Sequence, residues 1–328
     1  MSRSYDRKEK GRTEKIQWKF LDLFDKMRDK EENKMDELIG TIRFPNLNIV
    51  LEHVGSGINL GGFSVKFYGI IIALGFLIGL YVTMREARRT DQNPEDYLDY
   101  MLWMVIPAIV GARVYYVIFS WKDYKDNLWN VFAIRQGGLA IYGGILAAVI
   151  VLICFTKRRG RSFFKMADTA VMGLLIGQIM GRWGNFFNRE AFGGYSNGLL
   201  AMQIPIKDAS YTTQELLDKV VTIGGIDYIQ VQPTFLYEGL WNLCVLLVIF
   251  FWRKKKVFDG ELLCLYMIGY GSGRFWIESL RTDQLLIGST HIPVSQVLAG
   301  ILCIVGLIVL IRKRRENKKR GLSFRTKR

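Results

Sequence analysis

Apolar positions in this chain gather into long uncharged runs rather than recurring every third or fourth residue, the pattern of helices surrounded by lipid. Seven runs can be marked, at 65–84, 97–119, 139–155, 166–180, 234–252, 261–279 and 293–311. Each is close to the roughly 20 residues that a helix needs to cross hydrocarbon. The pattern predicts an all-α polytopic membrane protein with seven transmembrane helices. The only long connection, residues 185–232 between the fourth and fifth helices, contains Gly, Pro and Tyr and short β-like runs such as 228–231. It is expected to form a small extracytoplasmic cap.

Composition agrees, with half of all residues hydrophobic and a positive mean hydropathy. The net charge of +15 raises nucleic acid as a partner, but the basic residues sit in short blocks between alternate apolar runs, without an aromatic-interleaved stripe. Nucleic acid is therefore set aside. Arg85, Arg88 and Arg89 follow the first run; Lys157, Arg158, Arg159, Arg161 and Lys165 follow the third; Arg253, Lys254, Lys255 and Lys256 follow the fifth; a basic tail starts at Arg312. The positive-inside rule makes these regions cytoplasmic, so the N-terminus is expected outside and the C-terminus in the cytoplasm.

Residues 1–45 read as a polar N-terminal extension without the apolar core of a signal peptide. Their lysines and arginines conflict with an outside location. Either neighbouring acids such as Asp22, Asp25, Glu31, Glu32, Asp36 and Glu37 soften the bias, or translation starts at Met35, the preferred reading. Residues 46–311 form the membrane domain and 312–328 the cytoplasmic tail. Cys154, Cys244, Cys264 and Cys303 fall inside predicted spans without metal-ligand spacing and read as small apolar packers. His53 and His291 lie near outer ends of spans, where a lone histidine is an interfacial group more often than a catalyst.

The candidate chemistry starts at residues 181–193, where Arg182, Asn185, Asn188, Arg189 and Glu190 directly follow an apolar run. An arginine at mid-membrane costs about 2.5–3.5 kcal/mol on insertion scales, so such residues face protein or a wet cavity and bind something. On a helix, Arg182, Asn185 and Arg189 share one face, and Gly181 and Gly184 permit close approach. Arginine forks and an asparagine suit a phosphate. Arg189 reads equally well as a snorkelling helix-end residue. Near the end of the sixth run, Arg274, Glu278 and Arg281 form a plus–minus–plus stripe, read either as a ligand site or as an intrahelical pair that merely permits insertion.

Tyr142, in the stretch Gln136-Gly137-Gly138-Leu139-Ala140-Ile141-Tyr142-Gly143-Gly144, brings a hydroxyl to membrane depth, although paired glycines are commonly packing devices. Glu238 lies one turn inside the fifth run after Pro233 and Thr234; it is either a carboxylate favoured by the helix dipole or the partner of an arginine. Tyr68 opens the first run, a usual place for an interfacial tyrosine. The predicted orientation puts Tyr68, Tyr142, Arg182, Glu238 and Arg281 near outer ends of spans. They suit an intramembrane site for an anionic phospholipid head group.

In this order and on this topology the motifs resemble the prolipoprotein diacylglyceryl transferase family, from about residue 65 to residue 311. The most specific element is Gly-Arg-x-Gly-Asn-Phe-x-Asn-x-Glu-x-x-Gly, matched from Gly181 to Gly193. Tyr68-Gly69, Tyr142-Gly143-Gly144, Pro233-Thr234-x-x-Tyr237-Glu238 and Arg274, Glu278 and Arg281 fall in family order. The resemblance implies a bacterial plasma-membrane enzyme that moves the diacylglyceryl group of phosphatidylglycerol onto the lipobox cysteine of a prolipoprotein, with no cofactor or metal. It places the family's essential arginine and asparagine on Arg182 and Asn185, its glutamate and glycine on Glu190 and Gly193, and its later arginine and glutamate on Arg274 and Glu278. Many members carry histidine where this chain has Tyr142, so a histidine base is not general to the family or does not operate here.

The chemistry requires deprotonation of a thiol of pKa about 8.5 and stabilisation of a leaving phosphate. Arg182 and Arg274 are assigned to the phosphate. Glu278, Glu190 and water under the arginines' field remain open as proton acceptors, and Tyr142 is expected to orient substrate. Arg182, Arg274, Glu278 and Tyr142 are thus the catalytic candidates. Tyr68, Asn185, Asn188, Glu190, Gly193, Glu238 and Arg281 are the substrate-binding candidates. The rival class is an anionic phospholipid transporter or flippase; an intramembrane protease is disfavoured, because no HExxH or GxSG motif occurs.

Overall fold

Seven long helices account for most of the described residues: α1 Phe67–Arg89, α2 Glu95–Phe119, α3 Ile141–Arg158, α4 Phe163–Asn188, α5 Thr234–Trp252, α6 Glu261–Glu278 and α7 Val294–Lys319. The computed structural model describes residues 40–60, 63–125, 127–134, 137–286, 290 and 292–320. The expectations for residues 1–39, Gln136, His291 and the end of the basic tail lie outside the described residues. Among those described, six helices are long and apolar enough to cross a membrane, namely α1 to α5 and α7. The other, α6, carries Glu261, Arg274 and Glu278 within 18 residues. Helix α4 runs on from the apolar stretch through Asn188, so the signature arginine is helical.

The chain falls into two compact units. In the helical unit, the described residues of 69–184, 236–279 and 284–320, small residues set the close crossings. A Cβ on Gly79 of α1 would stand 2.7 Å from the Gly173 carbonyl of α4, and one on Gly111 of α2 the same distance from the Gly143 carbonyl of α3. The paired-glycine stretch after Tyr142 therefore serves helix packing, as small residues commonly do in membranes. Many large apolar side chains on α1, α2, α3 and α7 stay exposed, as lipid-facing helices require; Leu102, Ile118 and Ile304 are each at least 60% exposed.

Ion pairs lock one end of this unit. Glu86 of α1, buried, takes Arg89 and also Arg253 at 2.7 Å. Asp168 of α4 takes Lys256 at 3.1 Å and the backbone N–H groups of Gly260 and Leu263 at 2.8 and 2.9 Å. Glu261 of α6, fully buried, takes Arg314 of α7, the Trp252 indole N–H and the Val257 N–H. Burying a charge is tolerated only with such pairing. Elsewhere Arg113, 6% exposed, donates to the carbonyls of Asn130, Val131, Gly137 and Gly138 and so folds the connection between α2 and α3 back on itself.

The second unit holds the described residues from 40 to 68 together with 185–235 and 280–283. Its centre is a five-stranded antiparallel sheet of order β2-β1-β5-β7-β6, from β1 Ile42–Phe44, β2 Ile49–Leu51, β5 Met202–Pro205, β6 Val221–Ile223 and β7 Ile226–Val231. A hairpin of β3 Gly57–Leu60 and β4 Phe63–Lys66 stands apart from that sheet. Ile42, Ile204, Tyr228, Ile229 and Val231 are fully buried, so the sheet has its own core. The residues at 228–231 do form a strand, while four strands arise from residues 42–66, where no strand was expected.

Candidate active site

The helical unit brings two signature arginines to one carboxylate. Glu238, one turn into α5 and 3% exposed, has Arg182 Nη2 at 3.0 Å from Oε1 and Arg274 Nη1 at 3.0 Å from Oε2. Arg274 uses its other nitrogen on Glu278, one turn along α6 at 2.5 Å. Glu278 is 3% exposed and accepts a hydrogen bond from the Ser295 hydroxyl at the start of α7. A continuous chain of polar contacts thus crosses α4, α5, α6 and α7. Two positive and two negative charges balance in it, the condition for keeping them in a low-dielectric interior.

The pairing is incomplete in a chemically useful way. Oε1 of Glu238 and Oε2 of Glu278 face guanidinium groups but lack an aligned hydrogen bond. Each keeps capacity to accept a proton or a donor. The half-buried Tyr142 on α3 lies beside Ser295 and within electrostatic range of Arg274 and Glu278. Tyr270, four residues before Arg274 on α6, feels Glu238, Arg274, Arg182 and Tyr142. The sequence reading did not single out Ser295 or Tyr270. Glu238 is thus the partner of arginines, not only a carboxylate at a helix start.

The remaining candidates belong to the sheet-containing unit. The Asn185 amide donates to Glu190 Oε1 at 2.7 Å, and Asn188 donates to the same oxygen at 3.3 Å. The Glu190 N–H returns to the Asn185 carbonyl at 3.1 Å. This knot forms because α4 ends at Asn188 and the backbone then turns through positive φ at Arg189 (50°) and Ala191 (56°), uncommon for residues other than glycine. Arg189 has therefore left the helical face that it was expected to share with Arg182 and Asn185. It is 6% exposed, donates to the Val54 and Gly40 carbonyls and lies 3.6 Å from Asp208, so it does not snorkel. Burial pushes its guanidinium below the usual range, against the pull of Asp208.

Gly193 sits where three backbone segments meet. Its N–H donates to the Gln232 carbonyl at 2.9 Å, it bridges to Arg281, and a Cβ there would stand 2.7 Å from the Leu280 carbonyl. Arg281 forms a two-pronged ion pair with Asp283, at 2.9 and 2.6 Å. It is not on the stripe expected with Arg274 and Glu278, because α6 stops at Glu278 and Ser279 caps it. Tyr68 lies in the first turn of α1, 36% exposed, beside Phe67, whose ring packs against Phe187 at 5.3 Å.

A sequence profile of the family described as prolipoprotein diacylglyceryl transferase matches residues 56–312. Proteins called phosphatidylglycerol–prolipoprotein diacylglyceryl transferase are 41% identical to this chain in Bacillus mycoides strain KBAB4 and 42% identical in Bacillus cereus strain Q1, in each case over 260 residues covering 79% of this chain and 91% of the relative. A relative of the same name in Bacillus anthracis is 41% identical over the same extent. The buried arginine–carboxylate chain and the signature knot therefore stand in a sequence that belongs to the prolipoprotein diacylglyceryl transferase family.

Proposed function

We propose that this chain transfers the diacylglyceryl group of phosphatidylglycerol to the lipobox cysteine thiol of a prolipoprotein, forming a thioether and releasing glycerol phosphate. In this reading it crosses the bacterial plasma membrane seven times, with α6 as the seventh span because each of its charges has a partner inside the protein. Residues 185–232 form an extracytoplasmic cap, the N-terminus lies outside, and the basic tail 312–328 is cytoplasmic. Residues 1–45 are a polar extension of the membrane domain 46–311.

The observation that carries the proposal is the sharing of Glu238 by Arg182 and Arg274. Two guanidinium groups fixed before substrate arrives are preorganised charge for a phosphate, and lose little to reorganisation when the leaving oxygen develops charge. The thiol sulfur attacks the glyceryl carbon, a C–S bond forms, and the C–O bond breaks with its electron pair passing to the phosphate oxygen. The thiol proton goes to a carboxylate and then to the departing phosphate monoester. Tyr142, beside Ser295, orients substrate. Asn185, Asn188, Glu190, Gly193, Arg281 and Tyr68 complete substrate binding.

A flippase built on the same arginines needs a polar path to both faces. The opposite end of the helical unit is instead tied by the buried acids Glu86, Asp168 and Glu261, which favours a transferase. The deciding experiment incubates purified protein with phosphatidylglycerol and a lipobox peptide and looks for the diacylglyceryl thioether by mass spectrometry. Lipid scrambling in vesicles without thioether formation would sink the reading in favour of a flippase.

A further inference from the structure

One helical turn away from the arginine cluster lies a second polar layer that the reaction described above does not use. Gln178 is four residues before Arg182 on α4, Asn242 is four after Glu238 on α5, and Tyr270 is four before Arg274 on α6. Residues four apart share a helix face, and the directions of these helices put all three on the same side of the cluster. Asn242 is 1% exposed, and neither its amide nitrogen nor its amide oxygen has a hydrogen-bond partner. The Gln178 amide nitrogen donates to the Tyr266 hydroxyl at 2.8 Å, while its oxygen also lacks a partner. Buried amides are nearly always satisfied, so an unsatisfied one beside a reaction centre asks for a ligand group.

We propose that this layer is an ester-recognition subsite in which Asn242 Nδ2 donates to an ester carbonyl of the diacylglycerol moiety. The inference rests on the reading of the arginine cluster as the phosphate site. Four residues of helix rise about 6 Å, a distance that a three-carbon glycerol backbone can span between its phosphate and its ester carbonyls. A lipid of the outer leaflet with its phosphate on Arg182 and Arg274 has its esters on the membrane-interior side, where Asn242 and Gln178 lie under the proposed orientation. The polar floor fixes the depth of the glyceryl carbon, and beyond it the apolar side chains of Val245 and Ile249 follow on the same helix.

The test compares diester phosphatidylglycerol with its diether analogue, which lacks the carbonyls, as donors to a lipobox peptide. The wild-type protein is expected to prefer the diester by about tenfold in kcat/KM, the worth of one neutral hydrogen bond. Asn242→Leu is expected to bring that ratio near one by slowing the diester reaction alone. Because the ratio is measured within one preparation, partial misfolding cancels, and Asn242→Ser supplies the same comparison if the leucine variant does not accumulate. Equal use of both lipids by the wild type, or an unchanged preference in the variants, would overturn the subsite. Absence of product from either lipid with the wild-type protein would instead remove the transferase reading beneath it.

Discussion

Arg182 and Arg274, from helices far apart in the chain, rest on opposite oxygens of one carboxylate, each at 3.0 Å. Neither guanidinium is free to follow solvent, and neither needs substrate to find its place. The arrangement separates two properties, charge and fork geometry, that a single substitution can distinguish.

Arg182→Lys keeps the charge and replaces a planar fork with a flexible point donor. It is expected to insert and fold like the wild type and to lose roughly 100-fold or more in turnover, the scale of losing one preorganised donor. Thioether formation by mass spectrometry, normalised to folded protein, checks this; wild-type turnover would remove Arg182 from the phosphate.

Tyr142 stands beside Ser295, which in turn donates to Glu278. Tyr142→Phe is expected to lower kcat/KM by about tenfold, as one positioning hydrogen bond is lost. Tyr142→His is expected to retain activity, because an imidazole restores a polar contact at the same depth. An inactive histidine variant would show that the two residues are not equivalent here.

Legibility in the sequence follows the range of the interaction. The apolar runs were visible because lipid imposes one long requirement on twenty residues at a time, and Arg274–Glu278 was visible because one helical turn joins them. The convergence on Glu238 was only half legible: its position demanded an arginine without naming which. Ser295 and Asn242 gave no signal, since their neighbours come from other helices. The strands at 42–51 are three residues each, too short to show an alternation. Arg189 and Arg281 were misplaced because both helices end before them, at Asn188 and Glu278, where local pattern alone does not mark a stop.

Gly193→Ala tests whether the signature glycine is a matter of space. Its added carbon would meet the Leu280 carbonyl at 2.7 Å and the Gln232 side chain at 2.9 Å. Backbone yields little, so a loss of about 1–3 kcal/mol is expected, in the range of overpacking. Thermal unfolding in detergent measures it; an unchanged midpoint would mean that the three segments can separate at no cost.

Tyr211 gives a pH prediction in the sheet-containing unit. Its ring stacks on Phe192 at 4.4 Å and its hydroxyl donates to the Phe192 carbonyl at 2.9 Å. Burial, with the carboxylate of Asp283 adding to it, pushes the phenol up to about 12 despite the contact with Thr282. The unfolded value is about 10, so this residue's contribution is fully present below pH 10 and is lost as pH rises through about 12. The stability difference between wild type and Tyr211→Phe should be constant below pH 10 and shrink above it. A constant difference up to pH 12 would exclude the phenol as its source.

Arg189 reaches back to the carbonyls of Gly40 and Val54, both of which lie upstream of the stretch matched by the family. Trimming the chain to its recognisable portion would therefore take away acceptors that hold the turn following Asn188. The backbone at Gly40 and Val54 is a splint for that turn, and chimaeras that join homologous membrane segments need to carry it along.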